Sequence, residues 1–279
     1  MHDKFKSLGM RTVSAIVMAL LLIGATLCSI WSFGAIMLLI VIGCMYEFYQ
    51  ICIRSTHQPL QAVGISAAVA IFAFGFDGFF LQSGYSIPIA LFVIAVIPLC
   101  FIIELFKMRE GALLNIALTL MPLLYIASPM TLMIGIPIQI SGGEWQPMIM
   151  LCYMLLIASN DIFAYLVGIT CGRHPLCEKI SPKKTWEGLF GGIVGSLIVG
   201  TAVAYFMQGE YVIWCGIAII TSVSGSLGDL VESMFKRSAA VKDSGALIPG
   251  HGGILDRFDA WIISAPFVMV YLLIINLTK

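Results

Sequence analysis

Residues 1–33 read MHDKFKSLGMRTVSAIVMALLLIGATLCSIWSF. A short basic head is followed by an apolar run that continues past the length of a signal-peptide core. No small-x-small cleavage pattern closes it, so it reads as a retained first membrane span. The rest of the chain fits that reading. Of its 279 residues 60% are hydrophobic and 11% charged, whereas soluble domains carry about 25% charged residues. Lipid is therefore the expected solvent. Net charge is zero, which leaves no bulk field for nucleic acid. The eight cysteines lie mostly inside apolar runs and read as small apolar residues. The spacing of Cys171 and Cys177 matches no zinc pattern.

A helical span needs about 20 apolar residues. Segments of that kind occupy 12–30, 32–52, 60–76, 86–106, 112–138, 147–171, 188–206, 211–231 and 256–276. The fifth is overlong and carries Pro122, Pro129 and Pro137. It reads as one kinked span with an interfacial piece, or as a span plus a re-entrant segment. With nine crossings and the N-terminus inside, every Lys and Arg except Lys279 falls on the inner side, as positive-inside bias requires. Two crossings at the fifth segment would split those charges. The expected fold is an all-α, polytopic helical bundle of about nine transmembrane helices, N-in and C-out. Residues 1–145 form its N-terminal transmembrane part. Residues 146–279 form a C-terminal catalytic part with inner loops at 172–187 and 232–253.

The helices flanking those loops carry carboxylates at their inner ends: Asp161, Asp229, Glu232, Asp256 and Asp259. Ionisable groups at a membrane boundary are costly and mark function by default. Asp229 and Glu232 are spaced i,i+3, as are Asp256 and Asp259, so each pair shares a helix face. Carboxylates converging from two helices suit Mg²⁺, which takes oxygen ligands and bridges to phosphate. The same acids also fit a structural network paired by Arg237 or Arg257.

The inner loop 177–192 reads CEKISPKKTWEGLFGG. Ser181 followed by Pro182 is a helix-start pattern, which would put Lys183 and Lys184 in a first turn. Cations there oppose the helix dipole, so the pattern fits an anion site, or an ordinary basic loop. The small-xxx-small spacing from Gly188 to Gly200 reads as close helix packing. Residues 242–261, KDSGALIPGHGGILDRFDAW, set Gly252 and Gly253 before a helix. Such glycines let backbone approach an anion closely. Lys236, Arg237, Lys242 and Arg257 supply cations for phosphate, and His251 a hydrogen-bond donor or an acid.

Residues 233–259 resemble the signature of the phosphatidate cytidylyltransferases, or CDP-diacylglycerol synthases. The matching positions are Ser233, Lys236-Arg237, Lys242-Asp243, His251-Gly252-Gly253, Asp256-Arg257 and Asp259. SPKKTWEG (181–188), LGDLVES (227–233) and NDIFAYLVG (160–168) resemble further blocks of the same family. The resemblance is strong from about residue 150 onward. It implies a multi-pass enzyme of the cell inner (cytoplasmic) membrane, active on the cytoplasmic side. It would join CTP and phosphatidate, depend on Mg²⁺ and act as a homodimer among membrane lipid. The metal-binding acids implied are Asp229 and Asp256, with Asp161 and Asp259 in support. Ser181, Lys183, Lys184, Gly252 and Gly253 would bind nucleotide. Lys236, Arg237, Lys242, Asp243, His251 and Arg257 would complete the catalytic set. A relative acting on another lipid phosphate, an anion or lipid transporter, and a CDP-alcohol phosphotransferase are the alternatives. The last lacks its Asp-Gly…Ala-Arg arrangement here.

Overall fold

A computed structural model describes residues 2–241, 245 and 252–278, with side chains from Val13 onward. Among the described residues ten α-helices follow one another: α1 (His2–Cys28), α2 (Ile30–Arg54), α3 (Gln61–Phe76), α4 (Ser86–Lys107), α5 (Ala112–Pro122), α6 (Ser128–Ser141), α7 (Pro147–Cys171), α8 (Trp186–Phe206), α9 (Tyr211–Ser238) and α10 (Leu255–Thr278). Eight runs among the described residues are long and apolar enough to cross a membrane. The apolar half of α1, Val13–Cys28, is the segment expected as the first crossing. The protein is a multi-pass helical membrane protein.

The overlong fifth segment is one helical run, Ala112–Ser141. It is not broken at Pro122 but widened after it into a π-helical turn, Leu123–Ala127. Proline lacks an N–H and its ring crowds the preceding turn. A widened turn absorbs both effects without ending the helix. Ser128 Oγ donates to the Leu123 carbonyl at 2.8 Å, repairing part of the ladder.

The chain divides into two compact units. One comprises Met1–Gly135 with Ser238–Phe258, the other Ile136–Arg237 with Asp259–Lys279. In the first, α2 supplies much of the core, with Phe33, Met37, Val41, Cys44, Met45 and Tyr49 wholly buried. Tyr49 donates to the Thr119 carbonyl at 2.9 Å. Thr119 Oγ1 accepts from the Leu60 N–H at 2.8 Å. Both bonds give polar atoms partners that lipid cannot offer.

In the second unit α8 lies against α7 along a row of glycines. A Cβ added at Gly188 would stand 2.9 Å from the Ala164 carbonyl oxygen. One at Gly192 would stand 3.1 Å from the Ala164 Cβ. Close approach of helix backbones is how membrane helices gain dispersion energy where lipid offers no hydrophobic drive. Tyr153 Oη and Ser264 Oγ, 2.9 Å apart and buried, tie α7 to α10.

One expectation for the inner loops is corrected. Helix α8 begins at Trp186, not at Ser181. Residues 181–185 form a strand, β2 (Ser181–Thr185), antiparallel to β1 (Pro175–Cys177), with Pro175 opposite Thr185 and Cys177 opposite Ser181. Thr185 is the cap: its backbone is extended and its Oγ1 accepts from the Gly188 N–H at 3.1 Å. A hydroxyl reaching the third N–H of the helix outcompetes the Ser-Pro start. At the second of these loops α9 runs on to Ser238, so Lys236 and Arg237 belong to its last turn, where cations complement the dipole.

Replacing Gly188 with Val should destabilise the protein by about 1–3 kcal/mol through overpacking against the α7 backbone. That appears as a melting point several degrees lower in detergent. Gly24→Ala, where nothing lies within 4 Å of the new methyl, should melt as the wild type does.

Candidate active site

The polar residues of α7, α8 and α9 gather around the hairpin. Its two strands are held from α8 itself. Glu187 Oε2 accepts the backbone N–H groups of Arg173 and His174 at 3.1 and 3.2 Å. Its Oε1 lies 2.5 Å from His174 Nδ1. The Trp186 N–H donates to the His174 carbonyl at 3.0 Å. A single carboxylate in the first turn thus fastens the far strand back to the helix start, where the dipole also favours it. The hairpin carries Ser181, Lys183 and Lys184, which are strand residues.

Lys184 points from β2 to α9. Its Nζ stands 2.5 Å from Asp229 Oδ2 and 3.1 Å from the Ser226 carbonyl oxygen. Charge-assisted bonds of this length are the strong ones. They place an ammonium and a carboxylate on one wall of a cavity of about 550 Å³. Asp161, Lys183, Lys184, Thr185, Ser226 and Asp229 form its polar lining, and Ala164, Tyr165, Ile169, Leu176 and Leu189 its apolar lining. A volume of that order suits a drug-sized or nucleotide-sized molecule. Asp161 is open to the cavity, with Asn160 Nδ2 at 3.4 Å from its Oδ1. Asn160 is 1% exposed and also reaches Ser226 Oγ at 3.5 Å.

Deeper in the same unit, Asp229, Glu232 and Asp259 each present an oxygen, all within 4.8 Å of one another. Glu232 and Asp259 are buried. Lys236 Nζ stands 2.7 Å from Glu232 Oε2, an i,i+4 pair along α9. Asp259 Oδ1 accepts from the Ala260 N–H at 2.7 Å. The oxygen-only donor set fits a hard divalent cation. Lys184 and Lys236 supply counter-charge to two of the three acids.

In the first unit Asp256 opens α10, and its Oδ2 accepts the Gly253 N–H at 3.0 Å. Gly252 sits at φ +85°, a conformation open to glycine at no steric cost. A Cβ there would stand 3.1 Å from the same carboxylate. Arg257 is exposed, and its N–H donates to the Ile254 carbonyl at 2.9 Å. Lys242, Asp243 and His251 lie outside the described residues.

Of the sequence candidates, then, Asp161, Lys183, Lys184 and Asp229 share one cavity, and Asp259 stands beside Asp229. Glu232 joins that acidic group, as its i,i+3 spacing from Asp229 foretold. Asn160 and the Ser226 carbonyl were not among the candidates. Asn160 lay in a quoted block, but a buried amide leaves no charge pattern, and a backbone carbonyl leaves no sequence signal at all.

The sequence matches the model of the cytidylyltransferase family over residues 9–275. The chain belongs to that family. The match covers the N-terminal spans as well as the polar C-terminal part. Similarity to individual relatives is more local. The chain is 48% identical over 121 residues to the phosphatidate cytidylyltransferase of Staphylococcus aureus (strain COL), covering 43% of this chain and 46% of that one. It is 46% identical over 121 residues to the protein of that name from Staphylococcus haemolyticus (strain JCSC1435), with the same shares covered. The chain spans about half the length of the curated relatives it matches.

Because Glu187 holds two backbone N–H groups and a side chain of the hairpin, Glu187→Ala should loosen residues 172–185 alone. Trypsin should then cut at Lys179, Lys183 or Lys184 several times faster than in wild type. Helical circular dichroism should stay unchanged.

Proposed function

We propose that the chain is a CTP:phosphatidate cytidylyltransferase of phospholipid biosynthesis. A phosphate oxygen of phosphatidate attacks the α-phosphorus of CTP. The bond to the bridging oxygen of the β-phosphate breaks, and pyrophosphate leaves with that electron pair. The observation that carries the reading is the Lys184–Asp229 pair on the wall of a cavity with one polar and one apolar lining. Family membership and the names of the relatives support it.

The phosphate nucleophile is anionic at neutral pH, so the task is to bring two polyanions together. Positioning and charge neutralisation are the means available. Lys184, with Lys183 beside it, is assigned to triphosphate oxygens. On nucleotide binding its ammonium would turn from Asp229 to phosphate, leaving that carboxylate to a cation. Ser181, Gly252 and Gly253 are assigned to nucleotide contacts. Lys236, Arg237, Lys242 and Arg257 are assigned to phosphate of either substrate, with Asp243 and His251 completing the set. Asp229 and Asp256 are assigned to Mg²⁺, with Asp161 and Asp259 in support. Magnesium, when bound, supplies charge neutralisation on the triphosphate. The apolar wall of Tyr165, Ile169 and Leu189 lets the acyl chains stay in lipid while the headgroup meets the lysines.

We assign the site to the cytoplasmic face of the inner membrane. With α1 counted as a crossing, every Lys and Arg but Lys279 lies on one side, the side that positive-inside bias places in the cytoplasm and where CTP is found. A homodimer is assigned by family resemblance.

Purified protein, labelled CTP, phosphatidate and Mg²⁺ should release pyrophosphate and form CDP-diacylglycerol. A transporter would release none. Asp229→Asn and Asp256→Asn should each abolish turnover while remaining in the membrane, and full activity in either removes it from the metal assignment. Lys184→Ala should raise the half-saturating CTP concentration roughly 10- to 100-fold, as expected for one charged hydrogen bond.

A further inference from the structure

The N-terminal spans carry one acid whose placement concerns the polar C-terminal segment. Glu47 lies in α2, 1% exposed, two turns before the end of a largely apolar helix. Its Oε2 accepts the backbone N–H of Leu255 at 2.9 Å, across 208 positions of sequence. Leu255 is the first residue of α10 and is itself 1% exposed.

The first four N–H groups of a helix have no partner within it. Water would normally serve, but this N–H is buried. Left unpaired it would keep the full desolvation cost of a buried donor. The acceptor comes from α2, and it is a carboxylate, which the positive end of a helix dipole favours. The backbone of α2 also approaches closely here: a Cβ added at Gly43 would stand 2.6 Å from Ile254 Cδ1. One turn of α2 therefore meets two successive residues, Ile254 by shape and Leu255 by hydrogen bond. The next residue is Asp256, whose carboxylate turns back to the Gly253 N–H.

We propose that Glu47 is a positioning residue for Asp256, fixing the first turn of α10 by accepting the Leu255 N–H. Glu47 touches neither substrate nor metal in this scheme. Its catalytic consequence rests on the cytidylyltransferase reading; its structural consequence does not. An acid in a membrane span is expensive, and anchoring a helix start accounts for one that stands outside the C-terminal cluster.

Two measurements on full-length protein in lipid nanodiscs test this. Hydrogen exchange is read on peptides covering 252–262, with peptides of α7 as the control for global folding. Glu47→Leu should speed exchange of the Leu255 amide about tenfold or more, the size expected for losing one hydrogen bond to a charged acceptor. Glu47→Gln keeps an acceptor oxygen at the same reach and should remain close to wild type. Should Glu47→Leu also loosen α7, Glu47→Asp supplies the comparison, because it keeps the charge and withdraws the acceptor by one methylene. Leu255 exchange at the wild-type rate in Glu47→Leu, or in Glu47→Asp where the first is unfolded, overturns the inference.

The second measurement follows CMP transfer to phosphatidate across a Mg²⁺ series. Glu47→Leu should need about tenfold more Mg²⁺ for half-maximal rate and show a lower kcat, while its KM for CTP stays near wild type. Glu47→Gln should restore both. Wild-type kcat and Mg²⁺ dependence in Glu47→Leu overturn the positioning role. If wild-type protein releases no pyrophosphate, the reaction assignment fails, and the exchange measurement alone decides the role of Glu47.

Discussion

Within lipid, no water is at hand to satisfy a polar group, and that constraint orders the polar residues of this chain. Among the described residues, several acids in or beside a span have partners supplied by protein. Lys184 meets Asp229 from a strand, Lys236 meets Glu232 from the next turn of the same helix, and the Leu255 N–H meets Glu47 from another helix. Asp77, 3% exposed near the end of α3, takes the Ser83 N–H at 3.1 Å and the Ser86 hydroxyl at 3.2 Å. These partners differ in kind. Asp77 and Glu47 are met by backbone or hydroxyl donors, which hold a loop or a helix start. Asp229 and Glu232 are met by lysines, which can change partners when an anion arrives.

Mobile cations need a rigid frame, and the second unit builds one. The glycine row of α8 lets its backbone approach α7 closely, with Gly188 beside the Ala164 carbonyl and Gly192 beside the Ala164 Cβ. The hairpin rests on that frame through Glu187. A strand also serves Lys184 better than a helix would. From β2 the Lys184 ammonium reaches Asp229, with Lys183 and Thr185 lining the same cavity. In a helical first turn the same ammonium would have stood against the dipole.

How much of this was legible follows from what each residue contributes to a pattern. The spans were legible because twenty apolar residues in a row have few other uses. The acids of α7, α9 and α10 were legible because charge at a membrane boundary is costly and repeated at i,i+3. The strand 181–185 was not. Ser181-Pro182 carries a local helix-start signal, and what overrides it is the pairing with 175–177 and the cap at Thr185, neither of which leaves a periodic trace in so short a segment. The π turn after Pro122 was half legible: the proline announced an irregularity, but not whether the helix would break or widen. Glu47 was not among the sequence candidates, because nothing in the sequence ties position 47 to position 255.

The lysine–carboxylate pairs also bear on why a site of this kind tolerates so many ionisable groups. The buried Lys236–Glu232 pair gains Coulomb energy but loses solvation for both ions, and the two nearly cancel, while solvent screens the more exposed Lys184–Asp229 pair. Such a pair is therefore a poor source of stability and a good exchange point. Two ammoniums set against three acids leave the cluster with surplus negative charge, which a divalent cation can offset. A triphosphate brings negative charge of its own, and the lysines can offset that. Neither ligand alone matches the full set of charges as well as both together, so cation and nucleotide would reinforce one another's binding. The electrostatics of α9, β2 and α10 thus fit the proposed reading, in which nucleotide and metal ion would arrive together.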